Sequence, residues 1–160
     1  MSDLIEIPKF KFCVDPDLSG DYLPTKGSEK ATGWDVRSAA TFDISGRQYI
    51  KIPLGFRVFA PEGWWLELRP RSSTFAKKEL HALYGVIDED YEGQVLFACQ
   101  FIPPEGFCGT IRIKAGDAIG QLVPVKRQEM IVERVTNEEF EILCKSRNTA
   151  RGSGGFGSTG

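Results

Sequence analysis

The chain has 160 residues, with 20 Lys and Arg against 22 Asp and Glu and a formal net charge of −2 at pH 7. That length fits one domain or one domain with an appendage, and 41% hydrophobic residues suffice for a core. The near-neutral balance excludes a general nucleic-acid binder, which carries a basic excess. No apolar run nears the ~18 residues of a membrane-spanning helix, so no membrane partner is expected. The start, MSDLIEIPKF, lacks a basic region followed by an apolar stretch, and a cytoplasmic protein is expected. Cys13, Cys99, Cys108 and Cys144 are scattered without a CxxC pair. They read as reduced thiols, and a single His makes a zinc site a poor fit.

In chain order, short runs rich in β-branched and aromatic residues alternate with Gly, Pro and Asp turns. A turn and strand are expected in ATGWDVRSA (31–39), and strands in RQYIKIPLGFRVFA (47–60) and GWWLELRP (63–70). SSTFAKKELHAL (72–83) is the one short helix predicted. YGVIDEDYEGQV (84–95) predicts a β-hairpin with three acids and an aromatic ring at its tip. Strands follow in GQVLFACQFI (93–102), GTIRIKAG (109–116) and IGQLVPVKR (119–127). NEEFEILC (137–144) fits a helical turn or a strand. Beyond Lys145 almost nothing is apolar except Phe156, so a packed domain is expected over 1–144 and a tail over 145–160. The pattern is that of an all-β barrel or sandwich.

Four segments carry unusual polar content. Asp35 follows a Gly-Trp pair, as a turn feeding a strand would require. In LRPRSSTF, Pro70 fixes the chain before Arg71, Ser72 and Ser73. A guanidinium, two hydroxyls and backbone N–H groups suit an anion; a Ser cap with a solvated Arg is the plainer reading. Asp88 follows Val86 and Ile87, where partial desolvation would suit a general base; the alternative is a polar turn. Gln121, between Ile119 and Leu122, needs partners if buried, from the fold or from a ligand. His81, the lone His, makes a Ser–His–acid triad a poor fit. The last ten residues, RGSGGFGSTG, hold five Gly around Arg151 and Phe156, more than a plain linker uses.

In this order, ATGWDVRSA, PRSS, GVIDEDYEGQV, GDAIGQLV and RGSGGFGSTG resemble the five motifs of the homotrimeric dUTPase family. The resemblance covers nearly the whole chain; its third and fifth motifs are the most specific. It implies a β-barrel-like jelly roll, a homotrimer with active sites between subunits, and hydrolysis of dUTP to dUMP and pyrophosphate. Water would attack the α-phosphorus, with Mg2+ held by the triphosphate. By motif position, Asp88 would activate that water and Tyr91 would pack the deoxyribose and refuse a 2′-hydroxyl. Gly85, Val86, Ile87 and Leu96 would read the uracil edge. Arg71, Ser72 and Ser73 would hold the α- and β-phosphates, with Gln121 nearby. Arg151 would pair with the γ-phosphate, Phe156 would cover the base beside Gly157, and the tail would close as a lid. Asp35 would organise structure or a metal-bound water.

Departures from the family pattern are Ser73-Thr74-Phe75 where Gly-Leu-Ala is usual, Ala118 for a basic residue, Gly120 for Ala, and Ala150 for an acid. Two alternatives share the resemblance. A dCTP deaminase-like enzyme would need a Glu base in a differently built third segment. A nucleotide-binding regulatory trimer would bind with little turnover.

Overall fold

The computed structural model describes residues 6–83 and 85–148. These residues form β1 (Lys11–Val14), β2 (Thr25–Lys26), β3 (Trp34–Arg37), β4 (Phe42–Ser45), β5 (Tyr49–Pro53), β6 (Phe56–Phe59) and β7 (Trp64–Pro70). Helix α1 (Ser72–Lys78) precedes β8 (Leu80–Ala82), β9 (Gly85–Ile87), β10 (Leu96–Phe101), β11 (Thr110–Ile113) and β12 (Ala118–Lys126), and helix α2 (Asn137–Arg147) follows. Every strand expected between residues 47 and 127 is present, because two-residue alternation sends every second side chain inward. In β10, Phe97, Cys99 and Phe101 are buried while Leu96 and Gln100 face out.

All pairings are antiparallel. One sheet has the order β2-β3-β12-β7-β9 and another β5-β10-β8, with two-stranded pairs β1-β6 and β4-β11. Neighbours distant in sequence wrap the chain into an all-β jelly roll. Phe56, Phe97, Phe101, Ile52, Leu54, Ile113 and Ile119 fill the interior, each under 2% exposed. Each such side chain stabilises the fold by ~1.5–3 kcal/mol. Burial pushes the Cys99 thiol up to about 12, which leaves it inert. Cys13, Cys108 and Cys144 are exposed and free.

Two expectations need correction, and one open alternative is decided. The helix predicted over 72–83 stops at Lys78, where Glu79 takes a left-handed conformation (φ 48°). Leu80 and Ala82 then turn inward as a strand and pair with β10, burial outweighing helical continuation. The predicted hairpin over 84–95 is not closed by a ladder: β9 pairs with β7, whereas β10 pairs with β5 and β8. The stretch left open at 137–144 is the body of a second helix, α2. Thr136 accepts from the Glu139 N–H and the Glu139 carboxylate accepts from the Thr136 N–H, a capping box that nucleates it.

The chain divides into two compact units, Met1–Arg127 and Gln128–Gly160. Cys144, where the packed domain was expected to end, lies within α2, on which Phe140, Ile142 and Leu143 are exposed.

Candidate active site

β12 lies between β3 and β7, and its register sets Gln121 opposite Asp35 on one side and Arg69 on the other. Arg71 follows directly after β7 and precedes α1. Its Nε lies 3.0 Å from Asp35 Oδ1, and the two side chains are 36% and 20% exposed. Gln121 Nε2 donates to the Pro70 carbonyl at 2.9 Å. The sequence motifs around Asp35, Arg71 and Gln121 therefore meet at one place. Ser72 is exposed and Ser73 half-buried on the first turn of α1, beside the guanidinium.

Two departures from the family pattern have a local cause. Buried Thr74 accepts from the Arg71 N–H at 3.0 Å and donates to the Ile119 carbonyl at 2.7 Å, tying the start of α1 to β12. At Gly120 a Cβ would stand 2.9 Å from the Phe97 ring, so the missing methyl makes room for that core side chain. A second glycine is constrained as well: a Cβ at Gly33 would stand 1.9 Å from Gln121 Oε1. The loop before β12 is braced as well. Asp117 accepts from Lys78 Nζ at 3.0 Å and from the Lys114 N–H at 3.1 Å. Burial works upward on its carboxyl, but those hydrogen bonds and charges outweigh it and hold it below the usual range.

Asp88 follows β9. Val86, 64% exposed, shares its outer face, whereas Ile87 points into the core at 7%. Asp88 itself is exposed, so the desolvation expected from Val86 and Ile87 is absent within one chain; period-two alternation puts only Val86 on its side. A cleft of about 800 Å³ opens here, lined by Phe59, Trp65, Val86, Asp88, Glu89 and Arg127. Glu89 Oε2 accepts from the Gly63 N–H at 2.9 Å and from Arg127 Nη1 at 2.6 Å. Tyr91, 43% exposed, donates its hydroxyl to the Gln94 carbonyl at 2.8 Å, and its N–H bonds the Asp88 carbonyl at 3.1 Å. A Cβ at Gly93 would stand 2.5 Å from the Tyr91 hydroxyl. Leu96 is 39% exposed at the start of β10.

The two groups do not meet within one chain. β7 pairs with β9 through Leu66↔Ile87 and Leu68↔Gly85, and continuing that register sets Asp88 beside Trp65. Arg71 lies six residues further on, about 20 Å away at ~3.3 Å per residue. Arg151, Phe156 and Gly157 lie outside the described residues. Sequence reasoning gave no role to Gly33 or Gln94, saw Glu89 and Gly93 only as part of an acidic turn, and saw Thr74 only as a departure from the family pattern. Each acts through a partner distant in sequence or through a missing Cβ, and no local pattern marks either.

The family model described as dUTPase matches residues 21–160. The chain is 36% identical over 137 residues to the deoxyuridine 5′-triphosphate nucleotidohydrolase of Rattus norvegicus, covering 86% of this chain and 61% of that protein's length. It is 32% identical over 137 residues to the protein of that name from Paramecium bursaria Chlorella virus 1, covering 86% and 89%. Among solved structures, a mutant of the Staphylococcus bacteriophage 80alpha dUTPase with dUpNHpp superposes with a TM-score of 0.75 at 25% identity, covering 95% of this chain and 98% of that one.

Proposed function

The chain belongs to the dUTPase family, and from that premise we propose that it hydrolyses dUTP to dUMP and pyrophosphate by attack of water on the α-phosphorus. This activity would lower dUTP and supply the precursor of dTMP. The observation that carries the reading is the pair of half-sites at opposite ends of β7. One holds Asp35, Arg71 and Gln121 in mutual contact or register; the other holds Asp88 and Tyr91 on one loop. A general base must stand within about 3 Å of the proton it takes, or reach it through one water. Asp88 is about 20 Å from Arg71 of its own chain along β7. A working site therefore takes its base from one copy and its phosphate grip from another, which supports active sites between the subunits of a homotrimer.

Within such a site Arg71, Ser72 and Ser73 hold the α- and β-phosphates, with Gln121 beside them. Charge-assisted bonds from a planar guanidinium fit phosphate oxygens. β9 is the edge strand of its sheet, so its outward N–H and C=O groups can read the base. Residues 85–87 meet uracil there, with Leu96 beside them. Cytosine, with donor and acceptor exchanged, would leave those groups unpaired. Tyr91 covers the deoxyribose face. Asp88 takes the proton of the attacking water. Arg151 grips the γ-phosphate, and Phe156 with Gly157 covers the base, as their motif positions imply.

Among the described residues no group of three or more His, Cys, Asp and Glu is placed to hold a metal. Mg2+ carried on the triphosphate would supply neutralisation of phosphate charge there. Asp35, already paired with Arg71, is the carboxylate able to accept from a Mg2+-bound water. Exposed thiols at Cys13, Cys108 and Cys144 support a reducing compartment, the cytoplasm.

Product analysis tests the reading. The purified protein is incubated with Mg2+ and dUTP, dCTP, dTTP or UTP in turn. Pyrophosphate from dUTP alone is expected. Deamination of dCTP would move the chain to the deaminase branch, and tight binding of dUTP without turnover would make it a nucleotide-binding trimer.

A further inference from the structure

The loop carrying Asp88 and Tyr91 leaves one sheet at Ile87 and enters another at Leu96, so no ladder closes it. Its exit is fixed by backbone bonds: the Val95 N–H donates to the Phe56 carbonyl, and the Leu54 N–H to the Val95 carbonyl, each at 3.1 Å. Ahead of that exit the ring of Tyr91 rests on two supports. Gly93 has no Cβ, and one there would stand 2.5 Å from the Tyr91 hydroxyl. The hydroxyl itself donates to the Gln94 carbonyl at 2.8 Å. Both supports move with Gln94.

Gln94 is anchored outside its own loop. Its Nε2 donates to Asp15 Oδ1 at 2.6 Å, across 79 positions of sequence. Asp15 is held in turn. Its N–H donates to the Gly55 carbonyl and its own carbonyl accepts from the Leu18 N–H, both at 2.9 Å. Gly55 has φ +75°, and a Cβ there would stand 2.2 Å from Leu18 Cδ1, so that turn admits little movement. A path of hydrogen bonds thus runs from the buried turn at residues 54–56 through Asp15 and Gln94 to the Tyr91 ring.

We infer that Asp15 and Gln94 are specificity-determining positioning residues: their hydrogen bond sets where the Tyr91 ring stands, and so how strictly the site refuses ribose. The inference rests on the dUTP-hydrolysing reading above and assigns the discrimination to residues that do not themselves touch the nucleotide. A ring that shifts by a fraction of an ångström opens room for a 2′-hydroxyl without removing any group from the chemistry. The bond lies at the surface, so it contributes little to global stability, and its loss is read in selectivity rather than in unfolding.

The test compares kcat and KM for dUTP and UTP, and affinities for their non-hydrolysable imido analogues, in the wild type and four variants. Asp15→Ala and Gln94→Glu remove the bond, the second by setting two carboxylates together. Asp15→Asn keeps the acceptor oxygen. The double variant Asp15→Asn/Gln94→Glu restores the bond with donor and acceptor exchanged. The expected result is a fall of about five- to tenfold in the dUTP-to-UTP ratio of kcat/KM for Asp15→Ala and Gln94→Glu, carried by KM for UTP. Asp15→Asn and the double variant should stay within about twofold of wild type. Wild-type selectivity in Asp15→Ala, or no recovery in the double variant, overturns the assignment while the functional reading stands. A wild-type protein that neither turns over dUTP nor prefers its analogue overturns both.

Discussion

The two ends of β7 are built differently. At the Arg71 end, three hydrogen-bonded strands and a helix start converge. Asp35 and Gln121 sit on adjacent strands in fixed register, Arg71 follows the neighbouring β7 and pairs with Asp35, and the buried hydroxyl of Thr74 ties α1 to β12. At the Asp88 end a loop crosses between sheets, held by the Glu89 contacts on one side and by Gln94 and Asp15 on the other. The first end is preorganised by ladders that also stabilise the fold. The second depends on a few surface bonds whose loss leaves the core untouched. On the proposed reading, grip on the triphosphate would come from the rigid scaffold, whereas base chemistry and sugar selection would ride on the more adjustable part.

The largest expected effect is on the adjustable loop. Asp88→Asn keeps shape and hydrogen-bonding capacity but cannot take a proton, so kcat should fall by about 10²–10⁴. Affinity for the imido analogue of dUTP should stay within a few-fold, as calorimetry would show. Full turnover in that variant would remove Asp88 as the base. Next is Arg71→Ala at the scaffold end. It deletes a charge-assisted contact worth about 1.5–3 kcal/mol, so kcat/KM should drop ten- to a hundredfold, and shortened nucleotides lacking the β- and γ-phosphates should feel it less. An equal loss for dUMP binding would place Arg71 on the α-phosphate alone, and an equal loss for deoxyuridine would place it off the phosphates.

A pair of glycine substitutions sharpens the contrast directly. Gly33→Ala drives a methyl into Gln121, whose Oε1 would lie 1.9 Å away, and should cost about 1–3 kcal/mol in thermal or denaturant unfolding. Gly93→Ala meets the Tyr91 hydroxyl instead, at 2.5 Å, on an exposed loop. Its cost in stability should stay below about 1 kcal/mol, with the penalty seen as loss of dUTP-over-UTP selectivity. Equal loss of stability in both would erase the difference drawn between the two ends.

The smallest effect concerns pH. The Asp117 carboxyl is held below its usual range in the folded state. A depressed pKa contributes stability above the unfolded value of about 3.9 and loses it as pH falls through the folded value. Lys78→Met should therefore lower stability by less than about 1 kcal/mol at pH 7, with the gap to wild type closing below about pH 4. A gap that widens toward acid would mean that the Lys78–Asp117 contact opposes folding.

Much of the β framework was legible locally. Alternation in TIRI and LFACQF, with glycine and proline between the runs, reports which side chains face inward wherever the strand ends up. Arg71, Ser72 and Ser73 at the start of a helix, and Asp88 beside a core residue, were equally visible as chemistry. The end of α1 was not: Leu80, His81 and Ala82 continue a helical pattern, and only pairing alongside β10 turns them into a strand. Nor was the openness of the 88–95 loop. Two alternating runs around an acidic turn look alike whether they pair with each other or with β7 and β5.

What the sequence determined by itself was residue type, period and motif order, because these follow from neighbouring residues and from the chemistry of each side chain. Tertiary structure alone decided that Asp35 grips Arg71, that Gly33 makes room for Gln121, and that Asp15 anchors Gln94. It also decided that Asp88 stands too far from Arg71 to share a site within one chain. The three contacts join residues tens of positions apart and exist only once the sheets have chosen their partners.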